Sequence, residues 1–528
     1  MMLLKAPTFL VTICLVAAAG ICRVTTASEE ETCSKSDKPR KKAFVHGPSN
    51  TGKAPQYFDQ LTEALKWLDY DVSVEIEGIS ASNQEKYKKL MAEADLIWVK
   101  DHVKMPVVAE DHQKYNHILG IISTMTSKMY LPKMSKNYMP KTFSMPNEFD
   151  KWKEFMETDE GKNMKWVRKS KGHRYVNMVS NSVTLKELDK ITKDRTDMIL
   201  IQQFIDKPLL VDNHKIDVGI YVVVTSTIPT RAYYHLDRMV LRGCKNPYLP
   251  FNIDDRLSYV IEDTFTSPGE LPSFKDGFEQ GVNLRQLLLK HLNDNGYNSR
   301  KLFDRIDEMV RTVILQAKPH WFGKKMPQWR DPATSTKEGR SKSFELMRFD
   351  FIIEDLGEGN LKPWLMEVNY SPTLTSRHQE GSKKFFRNLI YDTLSLVGAT
   401  TNHKPFVDPE APFKSGEMLK QEISLHGCSH YCDSDQHNTT NLLACMVCNM
   451  DSKLPETFEN ILIDTVREER NRRHFKRIIP PEPTRGQPID SYFKSIEKES
   501  GPGLTSADAA LTLWIHMMCQ NNPLWCRK

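Results

Sequence analysis

At 528 residues the chain exceeds what one hydrophobic core organises, and about three or four domains are expected. Charged residues make up 27% and hydrophobic residues 39%, the balance of an ordinary globular protein. A formal net charge of +5 permits an acidic partner without demanding one and gives no sign of bulk nucleic-acid binding.

The first segment, 1–27, reads as a secretory signal. Lys5 precedes an apolar run from Phe9 to Cys22, and Thr25, Thr26 and Ala27 offer small residues for cleavage. An uncleaved anchor is the second reading, and no later stretch is long and apolar enough to span a membrane. The signal implies the secretory pathway; a cytosolic, microtubule-associated protein follows if it is not used. Residues 28–42 form a polar leader ending in Lys38-Pro39-Arg40-Lys41-Lys42.

Residues 43–146 read as a small α/β domain. Ala43 to His46 is a short strand, Ala54 to Leu68 has helical spacing, and DVSVEIEG and DLIWV (Asp95 to Val99) read as strands. Gly47 to Lys53 nearly fits a phosphate-binding loop. Ala54 follows where a hydroxyl is needed, and Pro48 has no N–H, so a turn into a helix is the favoured reading.

Residues 147–229 carry the strands KWVRKS, MILIQQFI and HKIDVGIYVVVTS, with a helix at Leu185 to Lys193. On the last strand Lys215 and Asp217 alternate onto one face, and Ile216, Val218 and Ile220 take the other. Residues 230–400 begin with YYHLDRMVLRG, continue with a helix from Lys301 to Lys318, and end with a helix from Lys383 to Leu396. Between these helices, Phe344 to Leu374 reads as two strands joined by a Gly-rich turn. Asp350 lies on one strand, and Glu367 and Asn369, two residues apart, share a face of the other. Three oxygen-bearing side chains suit a magnesium ion that keeps waters and phosphate oxygens in its other positions. Lysines on neighbouring strands would neutralise phosphates, and Gln202-Gln203-Phe204-Ile205 mixes amide and apolar character as an adenine slot would.

Residues 401–528 form a Cys-containing extension. Cys428, Cys432, Cys445 and Cys448 admit a zinc reading by spacing and a disulfide reading by compartment. Asn438-Thr439-Thr440 is a glycosylation acceptor that favours the latter. Cys519 and Cys526 are a further candidate pair. The basic run from Arg467 to Arg477 reads as a solvated helix face rather than a docking site for an acidic tail. Asn369-Tyr370-Ser371 is formally a second acceptor, but Pro372 and the neighbouring carboxylates argue against modification. No HExxH-type histidine pair supports catalytic zinc.

The order of these segments resembles the tubulin–tyrosine ligase-like family, from Asp95 to Gly398. Asn116-His117 with Leu119-Gly120 is similar to its NHFPG segment. Pro140 to Phe143 with Met145-Pro146 is similar to P-x-T-F-x-L-P. Trp166 to Ser170 stands where the family has W-I-x-K-P, and Gln202 to Ile205 with Pro208 to Leu210 is similar to Q-R-Y-I and N-P-L-L. Lys215 to Ser226 resembles K-F-D-L-R-I-Y-V-L-V-T-S. Phe349-Asp350 and the long run Lys362 to Leu374 match F-D and K-P-W-L-L-E-V-N-x-S-P-S-L.

The resemblance implies an ATP-grasp catalytic core in an α/β (α+β) protein. It implies that Lys169, Gln202, Gln203, Phe204, Ile205, Lys215 and Asp217 contact ATP. Asp350, Glu367 and Asn369 would hold magnesium, and Arg242 would stand near the reacting phosphate. The implied reaction is ligation of free glutamate to glutamate side chains of tubulin or another acidic protein tail, through an acyl phosphate, by a monomer. Three positions depart from the family pattern. Its arginine in K-F-D-L-R is Gly219 here, Lys-Pro is Lys169-Ser170, and the following loop is KGHRYV with only Gly172. Loss of one such donor costs a few kcal/mol of barrier, on the order of a hundredfold in rate. A catalytically weak or inactive member that works by binding is therefore the alternative, as is a ligase for a luminal acidic protein.

Overall fold

The computed structural model describes residues 39–47, 58–101, 107–135, 137–170, 176–179, 199–262, 264–323, 325–374, 380–400, 423–426, 428–432, 439–522 and 525–526. The signal and most of the leader, positions 48–53, the loop 171–175, the helix expected at Leu185 to Lys193 and Asn438 lie outside these residues.

Among the described residues, three sheets organise a mixed α/β structure. The first is all parallel, with order β2-β1-β3-β4: β1 is Lys42–His46, β2 Asp71–Glu75, β3 Leu96–Val99 and β4 Lys114–Tyr115. Parallel neighbours need crossovers, and the helices Asp59–Trp67 and Gln84–Glu93 provide two of them. The second sheet has order β5-β8-β6-β7, built from Thr142–Met145, Ile199–Gln203, Trp166–Ser170 and Val176–Val179. β5, which precedes the boundary expected at residue 146, pairs with β8 in this sheet.

The third and largest sheet runs β13-β12-β10-β11-β14, with the short β9 (Leu210–Val211) also paired to β10. Its strands are β10 His214–Thr227, β11 Thr230–Gly243, β12 Glu345–Asp355, β13 Leu361–Tyr370 and β14 Phe475–Ile479. Sequence order groups β10 with the second unit, but its hydrogen bonds go to β11 and β12, both antiparallel. Val222, Val223 and Val224 are fully buried, so this end of β10 is covered on both faces. One face, with Val218, Ile220, Phe349 and Phe351, packs on the helices Leu284–Asp294 and Ser299–Ala317. Asn298 caps the longer helix by accepting the Lys301 N–H at 2.9 Å. The other face is divided. Tyr221, Val223, Tyr233 and Leu346 pack on the helices Asp59–Trp67 and Glu380–Leu396, while the end holding Lys215, Asp217, Gly219 and Asp350 opens to a cleft.

The β12–β13 hairpin turns through Gly357, Glu358 and Gly359, all at positive φ. Glycine is required at 359, where a Cβ would stand 2.6 Å from the Gly296 carbonyl oxygen.

The extension is part of this architecture. β14 closes the exposed edge of β11. The basic run is not a solvated helix face: Arg472 and Arg477 are 6% and 1% exposed. Arg472 pairs with Glu469 and Glu482, Arg477 with Glu469, Arg473 with Asp392 and Lys476 with Asp307. The helices Thr439–Cys448, Thr457–Asn471 and Ser506–Asn521 share a separate core around Trp514. Cys428 joins Cys448, Cys432 joins Cys445 and Cys519 joins Cys526, so the four clustered cysteines form disulfides rather than a zinc site. Cys244 is a buried free thiol whose pKa burial pushes up to about 12. No helix among the described residues is long and apolar enough to cross a membrane.

Candidate functional site

The cleft lies between the second and third sheets and is lined by Lys169, Gln203, Phe204, Ile205, Lys215, Asp217, Asp350 and Glu367. It encloses about 760 Å³ counting its open mouth. One end is apolar. Val167, Val176, Phe204, Tyr259, Val260 and Ile261 form its walls, and Phe204 meets the Tyr259 ring edge-on at 5.8 Å. The other end is charged.

Strand register sets the charged end. Glu367, Asp350, Gly219 and Val240 form one row across β13, β12, β10 and β11. Asn369, Arg348 and Tyr221 form the adjacent row. Asp217 and Arg242 are cross-strand partners beyond the Gly219 row. A bulge between Asp350 and Phe351 leaves Met366 as the extra residue on β13, and its side adds to the cleft lining.

The carboxylates are closely held. Arg348 donates from Nε to Asp350 Oδ1 at 2.6 Å and from a terminal nitrogen to Oδ2 at 2.7 Å. Asn369 Nδ2 donates to Asp350 Oδ2 at 3.0 Å and to Glu367 Oε1 at 3.1 Å, so one amide spans both acids. Arg242 makes a two-pronged pair with Asp217 and lies 3.7 Å from Asp350 Oδ2. Burial drives the Asp350 pKa above its usual range, and Arg348 and Arg242 only partly offset this. Burial opposes ionisation of Glu367 too, but Asn369 and the Lys169 charge win and hold its pKa below the ordinary value.

The lysines respond to the same desolvation. Burial lowers the Lys169 pKa to about 8, with Glu367 pulling it up and Lys128 and Lys215 pushing it further down. The Lys215 pKa is lowered by burial, against opposing pulls from Cys244 and Asp217. Lys215 Nζ donates to the Tyr259 carbonyl at 3.1 Å and sits 4.9 Å from the centre of the Phe204 ring.

The structure therefore brings most of the expected site residues into one cleft. Arg242 and Asn369 reach it through the carboxylates they bind. Gln202 differs: its Nε2 donates to Thr142 Oγ1 at 2.8 Å, and it does not line the cleft. Its Oε1 is buried without a hydrogen-bond partner. Two features fit a magnesium nucleotide. Carboxylate oxygens of Asp350 and Glu367 stand at one corner, bridged by the Asn369 amide, and the apolar walls at the other end can take a ring. Arg348 went unnoticed in sequence, although its place two residues before Asp350 on a strand puts both on one face.

A second cluster has ligand-like spacing but a different role. His235, Asp392 and His474 bring nitrogen and carboxylate atoms within 4.8 Å of one another. His235 Nδ1 accepts the backbone N–H groups of Asp237 and Arg238 at 3.2 and 3.0 Å. Its proton is thereby placed on Nε2, which donates to Asp392 and keeps no lone pair for a metal. Arg473 also binds Asp392, at 2.7 Å, so the cluster is a hydrogen-bonded tie between β11, the helix Glu380–Leu396 and the extension.

A model of the tubulin-tyrosine ligase family matches residues 100–405. Over 423 residues the chain is 28% identical to a Caenorhabditis elegans protein named probable tubulin polyglutamylase ttll-15, covering 79% of this chain and 74% of that one. Tubulin polyglutamylase TTLL7 of Homo sapiens is 23% identical over 423 residues, and that of Xenopus tropicalis 23% over 417. Both alignments take in 74% of this chain but only 44% and 43% of the relatives, so the chain matches under half of their length. With the family model covering more than half of its residues, the chain belongs to the tubulin-tyrosine ligase family.

Proposed function

We propose that the protein is an ATP- and magnesium-dependent amino-acid ligase of ATP-grasp architecture that adds glutamate to glutamate side chains of an acidic protein tail, tubulin being the acceptor its relatives' names suggest. The observation that carries this reading is the convergence of Lys169, Lys215, Asp217, Asp350 and Glu367 at the charged end of a cleft whose other end is apolar. A nucleotide has that same division into ring and phosphates.

In this reading Phe204, Tyr259 and Val260 enclose the base, and backbone groups at Gln203 to Ile205 orient it. Lys169 and Lys215 neutralise phosphate oxygens. Asp350, Glu367 and Asn369 hold the magnesium, which supplies charge stabilisation to the transferring phosphoryl group. An acceptor carboxylate oxygen attacks the γ-phosphorus, and the bond to the ADP oxygen breaks. The amine of glutamate then attacks the acyl carbon, phosphate leaves and the nitrogen loses a proton. Arg242, anchored on Asp217, stands close enough to Asp350 to act on charge developing there.

The test is incorporation of radiolabelled glutamate into tubulin by the purified protein with Mg-ATP. Incorporation that needs ATP and disappears in Glu367→Gln supports the reading. Intact nucleotide binding without incorporation into any acidic acceptor refutes it and leaves a member that acts by binding. The three disulfides favour a second choice of acceptor, an acidic protein of the secretory pathway, because such bonds persist in oxidising compartments. Incorporation into secreted acidic proteins but not tubulin would select it.

A further inference from the structure

Gly219 removes from β10 the arginine that the family motif carries, and the space is filled from the next strand. A Cβ at Gly219 would stand 2.9 Å from Arg348 Cδ, 2.9 Å from Asp350 Oδ1 and 3.1 Å from Val240 Cβ. Arg348 therefore crosses directly over the glycine. It starts one row away, opposite Tyr221, and delivers its guanidinium to the row that holds Gly219, Asp350 and Glu367. Its side chain is 14% exposed and that of Asp350 4%. The glycine and the arginine are thus one arrangement, because no side chain at 219 coexists with Arg348 in this position.

The charge inventory gives Arg348 a further role. Asp217 is matched by Arg242, and Glu367 faces Lys169. Asp350 is matched by Arg348 alone at hydrogen-bonding distance among the arginines. If Asp350 turns its oxygens to a metal, Arg348 keeps its charge, since guanidinium does not deprotonate. A nearly buried guanidinium without a partner is costly, and the anion arriving with the metal is a phosphate. Resting on the reading of the cleft as a nucleotide site, we propose that Arg348 supplies from β12 the terminal-phosphate contact that Gly219 cannot supply from β10.

Gly219→Arg places an arginine into Arg348 and Asp350 and is expected to lower nucleotide affinity. The test is calorimetric binding of Mg-AMP-PNP and Mg-ADP to wild type, Arg348→Met, Gly219→Arg and the exchange variant Gly219→Arg/Arg348→Gly, each checked for folding by thermal unfolding. Arg348→Met is expected to lose about tenfold or more in AMP-PNP affinity relative to ADP, the scale of one charge-assisted hydrogen bond. The exchange variant should recover the AMP-PNP preference to within about threefold. An unchanged AMP-PNP to ADP ratio in Arg348→Met would reduce Arg348 to a counter-ion of Asp350. Should Arg348→Met not fold, the exchange variant decides: a retained preference supports the proposal and a lost one overturns it. Wild type that binds neither nucleotide overturns it as well. Glutamate incorporation is scored separately, so an inactive wild type with the expected nucleotide ratios sinks the ligase reading and not the arginine assignment.

Discussion

Glu468 ties the extension to the third sheet, and its removal should unfold more than a tail. Its carboxylate accepts from Arg231 Nε at 2.8 Å and from a terminal nitrogen at 3.0 Å, and from the Tyr233 hydroxyl at 3.0 Å. Arg231 is fully buried on β11, and its other contact is the Ser341 hydroxyl at 2.9 Å. Glu468→Gln keeps the shape and removes the charge, leaving a guanidinium out of water and unpaired. Breaking one side of such a pair costs about 3–5 kcal/mol. Asp464 lies close enough to stabilise Arg231 electrostatically, which places the expected loss near about 3 kcal/mol, the lower end of that range. For a cooperative unit of about 300 residues, at about 2.1 cal/mol/K per residue, that is a fall in Tm of about 5 °C. Replacing both partners, as Arg231→Met/Glu468→Met, removes the uncompensated charge and should recover most of the loss. Thermal unfolding followed by circular dichroism measures both. A Tm for Glu468→Gln within about 1–2 °C of wild type, the behaviour of a surface site, would refute the view that the extension is integral to the sheet. So would a double variant no more stable than the single one.

Other consequences concern protons and disulfides. Because the Lys169 pKa is about 8 in the free protein, phosphate binding must return a proton to it at higher pH. Mg-ATP affinity should fall by up to about tenfold per pH unit above that value, with proton uptake visible in buffers of different ionisation heat. Lys169→Arg, always charged, should show a flat profile; a flat wild-type profile would contradict the placement of Lys169 against phosphate. The His474 pKa is raised, first by its hydrogen bond to Asp392. Its folded value lies above the unfolded one, so the stability it contributes is complete below about pH 6.5 and is lost as pH rises through the folded pKa. His474→Gln should remove that decline in Tm; an identical pH profile would rule the tie out. The Cys428–Cys448 bridge spans a sequence separation of 20, and replacing both cysteines by alanine should cost about 3 kcal/mol on loop entropy. Chelators should leave Tm unchanged, whereas a chelator-induced drop would restore the zinc reading.

What could be read in the sequence divides along physical lines. Lys215, Asp217, Asp350, Glu367 and Asn369 were legible because period-two alternation assigns a strand's faces without knowing its neighbours. The hairpin was legible from its glycines, since Gly357 and Gly359 sit at positive φ. Long-range pairing was not. Nothing local says that β5 joins β8, or that β10 lies beside β12 at a separation of more than a hundred residues. The charge run from Arg467 to Arg477 looked solvated because composition does not reveal partners, and Asp392, Asp307 and Glu482 are distant or unremarkable in sequence. Gln202 and Gln203 could not be ranked, as adjacent residues on a short strand face opposite ways and only the register with β5 and β6 decides. The relation between Gly219 and Arg348 was hidden for the same reason: the two meet only through the β10–β12 register.

The most direct test of the central claim is Mg-ATP-dependent transfer of labelled glutamate to an acidic protein, comparing wild type with Asp350→Asn and Glu367→Gln. A wild-type rate that falls by a hundredfold or more in each variant, on the order expected for loss of charge stabilisation at the phosphate, is the predicted result. Transfer that persists undiminished in both variants, or a wild type that binds Mg-ATP and transfers nothing, would contradict it.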